Sequence, residues 1–151
     1  MVSAGDIPNV GLFMHSTILS IGSNIEPEKY CAKVLEVLRE QTVFKASSKL
    51  IETEPWGFAD QDNFLNGAVW LETPLDQLAF KAYLKSLEKQ LDRVKTANKS
   101  GPRTIDLDII IWDNNVVDED YFEKPYVYIP INEIINAHQL NINGINKWAQ
   151  H

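Results

Sequence analysis

The run Gly101-Pro102-Arg103-Thr104-Ile105-Asp106-Leu107-Asp108 leads into Ile109-Ile110-Ile111-Trp112 and places two carboxylates at the head of an apolar stretch. A Gly-Pro break followed by an apolar run predicts a buried strand. Side chains alternate along a strand, so Asp106 and Asp108 share one face while Leu107 takes the other. Two carboxylates side by side repel unless a proton, an arginine or a metal compensates them. Oxygen ligands of this kind suit magnesium, which takes one or two carboxylates and completes its octahedron with water and phosphate oxygens. Arg103 stands just ahead of the pair, and its guanidinium is suited to bidentate phosphate contact. The plainer alternative is an ion cluster in which Arg103 and a nearby lysine satisfy both carboxylates at a strand end. The Gly-Pro-Arg-Thr prefix favours metal and phosphate chemistry over that alternative.

Other side chains extend this chemistry. Formal net charge is -7, which argues against nucleic acid as a bulk partner. A polyphosphate substrate would therefore require a local basic cluster, and Lys85, Lys89, Arg93, Lys95, Lys99 and Arg103 fall within one short stretch. Lys85 and Lys89 read more simply as a solvated helix face. Trp56 and Phe58, followed by Phe64 and Asn66, would suit a flat heterocycle, with ring faces for stacking and an amide for its edge. Equally, Phe64 could belong to the core and Trp56 could anchor a loop. His15, His138 and His151 lack metal-like spacing, and no Ser-His or Cys-His nucleophile arrangement is supported. The single cysteine, Cys31, excludes an intramolecular disulfide framework and fits a reducing compartment.

The elements that must position these residues can be read from periodicity. At 151 residues, 44% hydrophobic and 23% charged, the chain reads as one soluble domain over 14–151 behind an irregular leader over 1–13. No apolar run is long enough to span a membrane and no signal peptide is evident, so the expected setting is cytoplasmic. A strand over Thr17–Ile21 is expected to end in a Gly22-Ser23-Asn24 turn, followed by a helix from Glu26 to Glu40 with Pro27 in its first turn. Strands are expected over Phe44–Ile51 and Phe64–Leu71, with a long irregular loop between them. Pro74 should open a helix with an apolar stripe of Leu78, Phe80, Tyr83, Leu84, Leu87 and Leu91. After the aspartate-bearing strand, Asp113-Asn114-Asn115 turns into Val116-Val117, and a short helix spans Ile131–Ala137. The order predicts an α+β, ferredoxin-like βαββαβ antiparallel sheet with helices packed on one face.

Ile21-Gly22-Ser23-Asn24, Glu54-Pro55-Trp56-Gly57, Phe64-Leu65-Asn66, Arg93 and the Gly101–Asp108 string occur in the order and spacing of one family. From about Thr17 to Ile135 the chain resembles 6-hydroxymethyl-7,8-dihydropterin pyrophosphokinase. That resemblance implies magnesium-dependent transfer of pyrophosphate from ATP to the pterin hydroxymethyl group, releasing AMP, in folate biosynthesis. It implies two magnesium ions on Asp106 and Asp108, with Asp108 also near the hydroxyl proton. Arg93 and Arg103 would offset phosphate charge, joined by Lys95 and Lys99, and Glu88 would contact the nucleotide. Asn66 would read the pterin edge and Phe64 would stack on its ring, with Thr53 and Trp56 completing the pocket. The chain departs from the family at Ser100, where a tryptophan is usual, and between Val117 and Pro130, where it is shorter and carries no histidine. With Pro130 taken as the start of the closing helix, Tyr126 falls on the second stacking aromatic and Lys124 on an arginine. That shortening leaves a second expectation open: a relative that binds nucleotide or pterin without efficient transfer. ATP and a small-molecule pterin are the expected partners, and oligomeric state is not legible.

Overall fold

The computed structural model describes residues 13–54, 63–91 and 104–145. Trp56, Arg93, Lys95, Lys99 and Arg103 lie outside them, as does the leader up to residue 12. The first strand, β1 (His15–Ser23), is buried on both faces from Thr17 onward, so it reads as a continuous run rather than an alternating one. Gly22 and Ser23 belong to this strand rather than to the expected turn. Helix α1 (Pro27–Gln41) begins at its proline, as expected, and Glu26 before it has φ 42°. Its buried residues Tyr30, Cys31, Val34 and Leu38 recur at helical spacing.

The single strand expected over Phe44–Ile51 is two, β2 (Val43–Ser47) and β3 (Ile51–Thr53), both paired with β4 (Phe64–Thr73). Helix α2 (Gln77–Gln90) starts later than Pro74 suggests, because Asp76 caps it by accepting the Ala79 N–H at 2.8 Å. Phe80, Leu84, Leu87 and Leu91 form its buried stripe, but Leu78 is 79% exposed and does not join it. Strand β5 (Asp106–Trp112) turns at Asp113 and Asn114, with φ 46° and 66°, into β6 (Asn115–Val116), a backbone that Asn and Asp tolerate in tight hairpins. Two helices follow, α3 (Asp120–Glu123) and α4 (Pro125–His138). The closing helix therefore begins before Pro130 and carries that proline inside it.

The six strands form one antiparallel sheet in the order β2-β4-β1-β5-β6, with β3 also on β4. Each of α1 and α2 links strands separated by one intervening strand, so β1 lies between β4 and β5. Leu19, Ile21, Val69 and Leu107 pack against α1 and α2 on one face. On the other, Ile18, Ala68 and Ile110 pack against Val127, Ile131, Ile134 and Ile135 of α4. Helices thus cover both faces rather than one, a correction that follows from the unexpected length of α4. Burying each such aliphatic side chain contributes about 1.5–3 kcal/mol of transfer free energy.

Candidate functional site

Strand register assembles the site. Gly22 of β1 pairs with Asn66 on β4 and with Asp106 on β5. Ser20 pairs in the same way with Ala68 and Asp108. Directly opposed residues project from the same face, so Asn66 and Asp106 flank a position with no side chain. With strands roughly 4.8 Å apart, they stand two strand spacings from each other. This is the face that α4 covers.

At one end of the row, Asn66 is buried and its Nδ2 donates to Thr53 Oγ1. Thr53 pairs with Phe64, whose ring is half-buried at the head of β4. Strand pairing and this bond bring Thr53, Phe64 and Asn66 together at one end of the row.

At the other end, Asp108 keeps an exposed side, yet protein packs closely around its carboxylate. Desolvation is the first cause that pushes Asp108 up to about 7; Asp106 is the second, Glu88 and Asp118 add to it, and Lys85 opposes it. Glu88, only 1% exposed, reaches from α2 to accept the Leu107 N–H on Oε2 at 2.7 Å, between the two aspartates. β6 pairs with Ile111 and Trp112, and among the described residues no strand lies on that edge of β5 beside Leu107. Lys85 Nζ lies 3.4 Å from Glu88 Oε1. An open cavity of about 170 Å³ adjoins them, lined by Lys81, Lys85, Asp108, Ile109, Val117 and Asp118 among others. Lys85 is therefore more than a solvated helix residue, whereas Lys89 is exposed as expected.

Tyr126, in the first turn of α4, overhangs the same region. Burial raises its pKa first, Lys124 opposes this, and the charges of Asp120 and Asp106 add to it. The phenol is therefore within electrostatic reach of Asp106. Lys124 Nζ sits 3.3 Å from Asp120 Oδ2 and 5.9 Å from the Tyr126 ring centroid. Burial alone would lower the pKa of Lys124, but Tyr126 and Asp120 raise it overall and hold the ammonium charged. Two residues before β5, Thr104 Oγ1 is buried and has no hydrogen-bond partner among the described residues.

Thr53, Phe64, Asn66, Asp106, Asp108 and Tyr126 all lie along this face. Lys81 and Asp118 are not among the residues that the sequence singles out, and Lys85 reads there as a solvated helix residue. The signal was available for the lysines, because Gln77, Lys81 and Lys85 follow one another at i, i+4 and Glu88 follows Lys85 at i, i+3, all on one helix face. Among the described residues, no three or more His, Cys, Asp or Glu side chains gather as a ready metal cage. Two carboxylates on one face of β5, one with its pKa raised by burial first and by its neighbour second, do fit a hard divalent cation that takes its remaining ligands from water and substrate.

Comparison with known proteins gives a consistent result. The family model described as 7,8-dihydro-6-hydroxymethylpterin-pyrophosphokinase matches residues 18–136. A 2-amino-4-hydroxy-6-hydroxymethyldihydropteridine pyrophosphokinase from Aquifex aeolicus is 32% identical over 117 residues, 77% of this chain and 72% of that protein. The protein of the same name from Bacillus subtilis is 29% identical, covering 87% of this chain and 89% of its own. That from Campylobacter jejuni is 31% identical, covering 78% and 76%.

Proposed function

Because the chain belongs to the 7,8-dihydro-6-hydroxymethylpterin-pyrophosphokinase family, we propose that it transfers pyrophosphate from ATP to 6-hydroxymethyl-7,8-dihydropterin and releases AMP, as a step in folate biosynthesis. The observation that supports this reading is the row Asn66–Gly22–Asp106, which sets an amide suited to a heterocycle edge and a carboxylate suited to phosphate chemistry on one face of three neighbouring strands. Chemistry of this kind is mainly positioning and charge neutralisation.

Asn66 and Thr53 hold the pterin edge, Phe64 and Tyr126 take its two faces, and Trp56 closes the pocket. Asp106 and Asp108 would hold magnesium, as two ions whose remaining ligands are water and phosphate oxygens. When bound, magnesium supplies positive charge against the attacking and leaving oxygens. Arg93, Arg103, Lys95, Lys99 and Lys124 supply further positive charge around the triphosphate. Asp108 is also assigned to accept the hydroxyl proton. Glu88 is assigned to the nucleotide side of the site, and its bond to Leu107 supports a role in holding β5 beneath it.

The scaffold is assigned as ferredoxin-like, with β3, β6 and the last two helices added; the β2-β4-β1-β5 order supports this. A single domain over 14–151 behind a leader over 1–13, acting in the cytoplasm without nucleic acid or membrane, completes the reading. Buried Cys31 and a net charge of -7 support it. Among the described residues no helix is long and apolar enough to cross a membrane. The shortened stretch between Val117 and Pro130, which lacks a histidine, favours one second reading, a relative that binds ligand without efficient transfer.

Incubation with ATP, magnesium and the hydroxymethyl pterin separates the two. Stoichiometric AMP and pyrophosphorylated pterin are expected. Calorimetric binding of either ligand with no AMP produced would establish the second reading instead.

A further inference from the structure

Resting on that reading of the site, we infer that Gly22 is a specificity-determining position: its missing side chain fixes the Asn66 amide and keeps the row between Asn66 and Asp106 open. A Cβ added at Gly22 would meet Asn66 Oδ1 at 2.9 Å, with Phe64 Cδ1 at 3.8 Å and the Leu65 carbonyl at 3.9 Å behind it. Real Cβ atoms essentially never approach this closely, so something must move. Asn66 cannot swing away without loss. Its Nδ2 is tied to Thr53 Oγ1, and the residue is 4% exposed. The amide therefore spans from Thr53 on one side to the bare backbone of Gly22 on the other. Displacing its carbonyl oxygen breaks the Thr53 bond or re-aims the amide edge that faces a bound heterocycle.

The same bare position lies between Asn66 and Asp106 in register. It is where a substituent on a ring held at Asn66 must pass to reach phosphates held at Asp106. Gly22 has no unusual φ among the positive-φ residues of the chain, so backbone freedom does not account for the glycine. Steric room over the strand does.

Gly22→Ala should bind hydroxymethyl pterin about tenfold or more weakly by calorimetry, with magnesium-ATP affinity kept within about twofold and the variant still folded, its thermal midpoint lowered only by disturbance of the Asn66–Thr53 bond. In an Asn66→Ala background the same change should cost little, because Gly22 acts through Asn66. A full loss in that background, or unchanged pterin affinity in a folded Gly22→Ala, would overturn the inference. Should the wild type fail to bind the pterin at all, the functional reading falls, and Gly22 is judged by NMR alone. The Asn66 side-chain amide signals must shift and lose exchange protection in Gly22→Ala; if they stay in place, the inference fails as well.

Discussion

At the scale of single residues, the two aspartates behave as a charged pair held together by the fold rather than by mutual satisfaction. Asp108 is raised to about 7 by desolvation and then by Asp106. A carboxylate whose folded pKa exceeds its unfolded value of about 3.9 holds a proton when folded that it lacks when unfolded. Metal-free protein should accordingly gain stability as pH falls from about 7 towards 4, the interval between these two values. Asp108→Asn should remove this dependence and should stabilise the metal-free protein at pH 8, as read by urea unfolding in chelator. A wild type whose stability is unchanged across that window would contradict the assigned repulsion. The same residues serve function at the expense of the empty fold: Asp106→Ala and Asp108→Ala should each lower kcat by about 100-fold or more, the scale of losing a preorganised charge-stabilising group, while both remain folded. Full activity in both variants would remove the metal assignment. The pairing of these aspartates on one face was legible in the sequence because alternation along a strand is rigid. The crowding by Glu88, Lys85 and Asp118 was not, since it depends on how α2 docks at the edge of β5.

At the scale of elements, α2 and β5 are joined by a buried carboxylate where a neighbouring strand would otherwise stand. Glu88 accepts the Leu107 N–H at a part of β5 that β6 does not reach. Glu88→Ala would leave that N–H without its acceptor and should cost about 1–3 kcal/mol. Glu88→Gln keeps an acceptor oxygen and should cost less. Hydrogen exchange at Leu107 reads the difference directly: fast exchange is expected in the alanine variant only, and equal protection in all three proteins would show that Glu88 does not hold the strand. β1, β4, β5, α1 and α2 were all legible, because each carries a strong period or a clear start signal. The last helix was misjudged at its start. Pro130 looks like an N1 proline, yet Pro125 occupies that place five residues earlier and α4 continues through Pro130. The Gly22-Ser23 segment was misread for a related reason. Gly-Ser-Asn has the composition of a turn, but a sheet buried on both faces can use glycine within a strand where another side chain must lie across it.

At the scale of the whole molecule, the sheet separates two cores, and only one of them lies under the candidate site. Cys31 belongs to the far core, fully buried and with its thiol raised to about 11 by burial first and by Glu28 second. It should resist thiol reagents at pH 8 until the whole domain opens, which makes it an internal clock for global unfolding. The near core lies between the sheet and α4, the helix whose first turn carries Tyr126 within electrostatic reach of Asp106. Leu38 on α1 and Ile131 on α4 are each fully buried, so truncating either to alanine should cost about 2–5 kcal/mol. Their effects on activity should nevertheless differ. Leu38→Ala loosens the face away from Asn66 and Asp106, and at temperatures where it stays folded its KM for the pterin should match wild type. Ile131→Ala loosens the seat of α4 and with it Tyr126, the proposed second stacking partner of the pterin, and should raise that KM several-fold at equal thermal stability. Equal KM values in the two variants would mean that α4 serves only as cover for the sheet, and Tyr126 would then have to be withdrawn from the pterin site.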